Sequence, residues 1–154
     1  MKRGTSWKTG FTLLEMLVVL AIIGILMAVG FPNLTTWQIR STVDNAAQQL
    51  ASDIDRQRIE TKRLNTPQVI EVVNLSSYKV GTVTKTMPPG TTVVLNNTTT
   101  MPNPLTFYPP YGTFYPPYGT TKPIAPIYTI GSTRDSSIFR TVSVISLLGK
   151  VIVK

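Results

Sequence analysis

Apolar side chains run unbroken from Met16 to Phe31, with only the glycines Gly24 and Gly30 among them. A helix rises ~1.5 Å per residue, so Phe11 to Pro32 spans roughly 30 Å, the thickness of a bilayer's hydrocarbon core. Pro32 lacks a backbone donor and crowds the preceding turn, so a kink or local loosening is expected from Ala28 to Pro32. From Asn33 to Leu64 the pattern becomes amphipathic. Val43, Ala47, Leu50, Ile54, Thr61 and Leu64 recur at spacings of three, four or seven on one face, with charged residues over much of the rest. Gln57 and Arg58 interrupt that stripe, which predicts looser packing in the last turns. Asn65-Thr66-Pro67 ends the helix, because the residue before a proline disfavours helical geometry.

Beyond Pro67 the chain turns to Val, Ile, Thr and Tyr punctuated by Pro, Gly and Asn. Strands are expected at Pro67 to Val73, Ser77 to Thr84, Thr91 to Leu95, Leu105 to Tyr108, Ile127 to Ile130, Phe139 to Ser146 and Lys150 to Lys154. Leu147-Leu148-Gly149 is expected to turn between the last two. The fold class is therefore α+β: a long N-terminal helix, its first half transmembrane and its second half amphipathic, packed on a C-terminal antiparallel β domain. The expected divisions are a basic leader (1–10), the membrane and assembly helix (11–32), its amphipathic continuation (33–64) and an exported β domain (65–154).

Glu15 is the one carboxylate in the apolar span. An unpaired charge there costs roughly 3 kcal/mol even on lenient insertion scales, so it either snorkels to the headgroups or meets a partner. Lys2, Arg3 and Lys8 precede the span and no charge follows it until Arg40. The positive-inside rule then keeps the N-terminus cytoplasmic and exports everything beyond Pro32. A secretory signal cleaved near Ala28-Val29-Gly30 is the competing reading. The length of the run and its continuation as a helix argue against it.

Gly10-Phe11-Thr12-Leu13-Leu14-Glu15, with a basic leader before it and Pro32 closing the apolar run, resembles the N-terminus of type IV pilin and type II secretion pseudopilin precursors. The resemblance implies cleavage between Gly10 and Phe11 by the prepilin peptidase, N-methylation of Phe11, and pairing of Glu15 with a neighbouring subunit's amino terminus. Two opposite charges brought together in a low-dielectric bundle would offset each other's desolvation. It also implies other pilins as partners through the N-terminal helix, and an inner-membrane stage before a periplasmic or cell-surface filament. Small residues at Gly24, Ala28 and Gly30, together with Pro32, would serve helix packing.

Leu50 to Val73, Leu105 to Gly112 and Val142 to Val151 are each similar to segments of the H-type pseudopilin and FimT-like minor pilin group. Major pilins usually carry a Cys-closed loop, and this chain has no cysteine, which favours a minor pilin or pseudopilin, with the filament tip as one position. The alternative is a DNA-binding minor pilin acting in natural transformation. The family's Gly-Arg-x-Arg-like string stands here as Gly149-Lys150-Val151-Ile152-Val153-Lys154, where lysine keeps the charge and loses the bidentate fork. From Asn65 onward seven basic residues face two acidic ones, and Arg134, Arg140, Lys150 and Lys154 are the candidate phosphate contacts. Charge scattered for solubility explains the same excess.

Thr106-Phe107-Tyr108-Pro109-Pro110-Tyr111-Gly112 is repeated at once as Thr113 to Gly119. It reads as a duplication that lengthened a loop, or as a stiff aromatic platform of Tyr108, Tyr111, Tyr115 and Tyr118. The chain has no histidine and no cysteine, and Glu71 and Asp135 are the only carboxylates after Asn65. An enzyme, a metal site and a cofactor are therefore not expected.

Overall fold

The computed structural model describes residues 11–96, 103–114, 126–145 and 149–154, without the side chains of Val29 and Pro32. Residues up to Trp37 and residues from Gln38 onward form two separate units. The helix α1 (Leu13–Leu64) supplies the described part of the first apart from Phe11 and Thr12, and the opening of the second. It continues through Ala28 to Pro32, so the loosening expected at the proline does not end it. A single missing N–H leaves the bonds on either side to carry the helix.

Among the described residues of the second unit, four strands form one sheet and four another. The first sheet runs β3 (Val83–Thr86), β2 (Ser77–Val80), β1 (Gln68–Asn74), β5 (Leu105–Phe107). The second runs β4 (Thr91–Leu95), β6 (Ile127–Ser132), β7 (Phe139–Ile145), β8 (Lys150–Val153). Every pairing of named strands is antiparallel. One main-chain bond from Val93 N–H to the Leu75 carbonyl, 2.8 Å, links the two sheets.

The strand expected at Ser77 to Thr84 is in fact two. Val80 pairs with Val83 across a two-residue turn in which Gly81 has φ +60°. A positive φ at the first turn position suits the tight hairpin turns whose twist matches the strands, and glycine adopts it without a Cβ penalty. Tyr108 forms only an isolated bridge to Thr113 beyond β5. Ser146, Leu147 and Leu148 lie outside the described residues, while Gly149 has φ +71°.

The core lies between α1 and the inward faces of both sheets. Val43, Ala46, Ala47, Leu50 and Ile54 are buried against Ile70, Tyr78 and Phe107 of one sheet and Val93, Tyr128, Ile130, Val142 and Val144 of the other. Burying a Val, Leu or Ile side chain is worth ~1.5–3 kcal/mol, so this stripe dominates the docking of the helix. Two expectations about it are corrected. Thr61 is buried as its place in the stripe predicts, but Gln57, expected to interrupt the stripe, is nearly buried as well, and Leu64, expected within it, stays 48% exposed. The Thr61 hydroxyl donates to the Gln57 carbonyl of its own helix at 2.9 Å, which lets a polar side chain face the core.

Polar clamps flank the stripe. The buried Asp53 accepts from the Tyr78 hydroxyl at 2.7 Å and from the Lys85 ammonium at 2.6 Å, both on the first sheet. Asp44 meets Arg140 of β7 at 2.5 Å. Asp44 and Asp53 are nine residues apart, two and a half turns, and so sit on opposite flanks of the helix, roughly 180° apart. The two clamps differ in weight. Arg140 and Asp44 are both more than a third exposed, where such pairs contribute about 0–1 kcal/mol. Asp53 is desolvated, and removing it would leave a buried hydroxyl and a half-buried ammonium without their acceptor.

Asp53→Ala should therefore cost about 2–4 kcal/mol, read from the denaturant midpoint of the full chain in detergent, and Asp53→Asn should cost less. Burial, aided by the hydrogen bond to Asp53 and its charge, pushes the Tyr78 hydroxyl above its ordinary ionisation range, and burial does the same to Tyr128. Unfolded tyrosines lose their proton near pH 10 while these two retain theirs, so stability is full below about pH 10 and falls as pH rises beyond it. A midpoint that stays level from about pH 9 to about pH 12 would contradict this.

Candidate functional site

The N-terminal end of α1 is built by Thr12. Its hydroxyl oxygen accepts from the Glu15 backbone N–H at 3.2 Å, and its carbonyl accepts from the Met16 N–H at 3.2 Å. Threonine at this position satisfies a donor that has no partner within the helix. Glu15 consequently sits in the first turn, where the helix dipole favours a negative charge. The Thr-x-x-Glu spacing of a helix cap was available in the sequence as a signal for Thr12.

Around this carboxylate the helix surface is bare. Phe11, Leu13 and Leu14 are 72%, 83% and 74% exposed, and large apolar side chains remain exposed from Met16 to Leu34. Gly24 and Gly30 have no neighbouring atoms within 4 Å of where a Cβ would stand. Ile23, Leu26, Met27, Phe31 and Leu34 frame a shallow apolar depression at Gly30. An anion at the helix start beside such a surface can accept a cationic donor while the apolar face is covered by another helix. Gly10 lies outside the described residues.

The four candidate phosphate contacts do not form one patch. Arg134 is exposed in the turn between β6 and β7. Arg140 lies on the same strand face as the buried Val142 and Val144 and is held by Asp44. Lys150 and Lys154 alternate with Val151, which packs on the core, so both point outward. They stand at opposite ends of β8, about 13 Å apart along the strand. Lysines at both ends of an exposed edge strand also discourage edge-to-edge pairing.

Three segments that resemble the pseudopilin group meet at Arg58. A Cβ on Gly112 would stand 2.8 Å from the Arg58 side chain and 2.8 Å from its carbonyl oxygen. A Cβ on Gly149 would stand 2.9 Å from Arg58 Cδ and 3.1 Å from Phe107. The helix end, the turn after β5 and the turn before β8 thus close on one side chain, and both glycines have positive φ. The three segments are far apart in the chain, and nothing in their local patterns brings them together.

The repeat does more than lengthen a loop. Phe107 from its first copy and Phe114 from its second are buried in edge-to-face contact, with ring centroids 6.5 Å apart. Between them Tyr108 N–H donates to the Thr113 carbonyl at 2.8 Å and Gly112 N–H to the Tyr108 carbonyl at 2.9 Å, closing the turn. Tyr111 is 69% exposed on it, while Tyr115 and Tyr118 lie outside the described residues.

Comparison with known proteins adds to this geometry. Residues 8–31 match the prokaryotic N-terminal methylation motif. Over 58 residues the chain is 41% identical to the pilin-like protein PilA1 of Thermus thermophilus, a stretch covering 38% of this chain and 36% of that protein. The chain therefore matches only about a third of that relative's length. Two crystal structures of the type IV minor pilin FimU of Pseudomonas aeruginosa share its fold. One has a TM-score of 0.54 at 15% identity, covering 72% of this chain and 91% of that one. The other has a TM-score of 0.57 at 15% identity, covering 75% and 90%. The chain thus carries the N-terminal methylation motif, is similar over a third of its length to a pilin-like protein, and has the pilin fold, a long N-terminal helix packed on antiparallel sheets.

Gly112→Ala and Gly149→Ala should each lower stability by about 1–3 kcal/mol, because each adds a strained φ and a contact that Arg58 cannot give way to without moving. Gly131→Ala, whose Cβ would find only an ordinary contact at 3.6 Å, should stay within about 0.5 kcal/mol. Denaturant midpoints of the three variants check the contrast.

Proposed function

We propose that the chain is a minor pilin or pseudopilin, a structural subunit that assembles through α1 into a type IV pilus or type II secretion pseudopilus. The observation that carries this reading is Glu15, a lone carboxylate in the first turn of a bare apolar helix, within a matched methylation motif. The prepilin peptidase cleaves between Gly10 and Phe11, and Phe11 becomes the N-methylated terminus. The subunit waits in the inner membrane with its N-terminus cytoplasmic and the β domain exported. On assembly, Glu15 receives the amine of a neighbour's Phe11, and apolar burial with close approach at Gly24 and Gly30 holds the helices.

The excess of cations after Asn65 supports a second reading, a subunit that binds DNA during natural transformation. The pairing of Arg140 with Asp44 and the spread of Lys150 and Lys154 weigh against it.

Expressed with the prepilin peptidase, the protein should begin at Phe11 on N-terminal sequencing; without it, the leader should remain. Glu15→Ala should abolish filament incorporation while membrane fractionation stays unchanged. A mature protein beginning near Phe31 would overturn the assignment. For the second reading, retardation of DNA at low salt should disappear in the Lys150→Ala, Lys154→Ala double variant; no retardation by the parent would remove that role.

A further inference from the structure

Between the apolar run and the β domain lies a short stretch that neither the run nor the domain accounts for. Asn33-Leu34-Thr35-Thr36-Trp37-Gln38 is too polar for hydrocarbon, yet it carries one of the chain's two tryptophans. Trp37 is 65% exposed, Leu34 54% and Phe31 64%, an apolar surface that their own unit leaves bare. The first core residue of α1 is Val43.

We infer that Trp37 is an interfacial anchor, its indole lodged among the phospholipid headgroups and ester carbonyls and fixing the depth of α1 in the bilayer. The inference rests on the membrane-anchored reading above and moves the outer boundary of the membrane segment from Pro32 to Trp37. If the hydrocarbon core begins near Phe11, about 30 Å of it ends near Phe31, and Trp37 lies about 9 Å further along the axis. Long side chains on a helix lean toward its N-terminus, which carries the indole back toward the lipid. Headgroup regions add roughly 5–8 Å on each side of the core, and tilt shortens the projected distance. An indole has a large apolar body and a single N–H donor, which suits a layer where ester carbonyls meet acyl chains. Leu34 and Phe31 lie three and six residues earlier and continue the apolar surface into the core. Arg40, three residues beyond, is the next charge and a cation suited to lipid phosphate.

The chain carries its own probe. With Trp7→Phe in the full chain, Trp37 is the sole tryptophan. The protein is placed at low density in phosphatidylcholine vesicles with acyl chains brominated either near the ester carbonyls or near the chain ends. The anchor predicts blue-shifted emission and about threefold stronger quenching by the shallow bromines than by the deep ones. Emission like that of the unfolded chain, without quenching by either lipid, would overturn the proposal, as would stronger quenching by the deep bromines. A control with Leu20→Trp, Trp7→Phe and Trp37→Phe should be quenched mainly by the deep bromines. If that control is not quenched, the membrane-spanning reading itself fails. If it is quenched and Trp37 is not, only the anchor fails.

Discussion

Everything in the second unit is arranged about one seam, the stripe from Val43 to Thr61 along which α1 meets both sheets. Apolar burial supplies most of its free energy, and that burial is nearly non-directional. Asp53 adds direction. Bonded to Tyr78 and Lys85 on adjacent strands, it fixes which turn of the helix faces which strands. Asp44 and Arg140 do the same for the other sheet from the opposite flank, with less energy because water screens them.

The same helix meets different surroundings along its length. From Leu13 to Phe31 its sequence is apolar on all sides but for Glu15, and the described large side chains there are exposed; from Val43 it is apolar on one side only. Helical backbone bonding satisfies the main chain in either setting, which is why one continuous element can serve both. Within the bare stretch Glu15 is the exception. Its place three residues after Thr12 gives its backbone N–H a capping acceptor and its carboxylate a favourable dipole.

Arg58 shows how a small β domain can close without a disulfide. Two glycines with positive φ let two turns approach a single helical side chain, so the helix end and both sheets share one junction. The likeness to FimU at 15% identity is one of fold, which sequence identity at that level hardly reports. The matched stretch of PilA1 likewise covers only part of each chain. The duplicated Phe-Tyr-Pro-Pro-Tyr-Gly units contribute one core phenylalanine each, so this duplication is partly inside the fold.

Local patterns were enough for what depends on local physics. The apolar run, the amphipathic stripe at Val43, Ala47, Leu50 and Ile54, the stop at Pro67 and most strands follow from periodicity and turn chemistry. Gly10 to Glu15 carries the resemblance in contiguous residues. The break at Gly81 was visible as a residue type, but whether a glycine bends a strand or turns it back depends on what pairs with it. Long-range geometry decided the rest. It buried Gln57 and left Leu64 exposed, turned Arg140 inward to Asp44, spread Lys150 and Lys154 along one edge, and brought Gly112 and Gly149 to Arg58. None of these could be read from spacing, because each depends on which distant segment the fold sets opposite a given side chain.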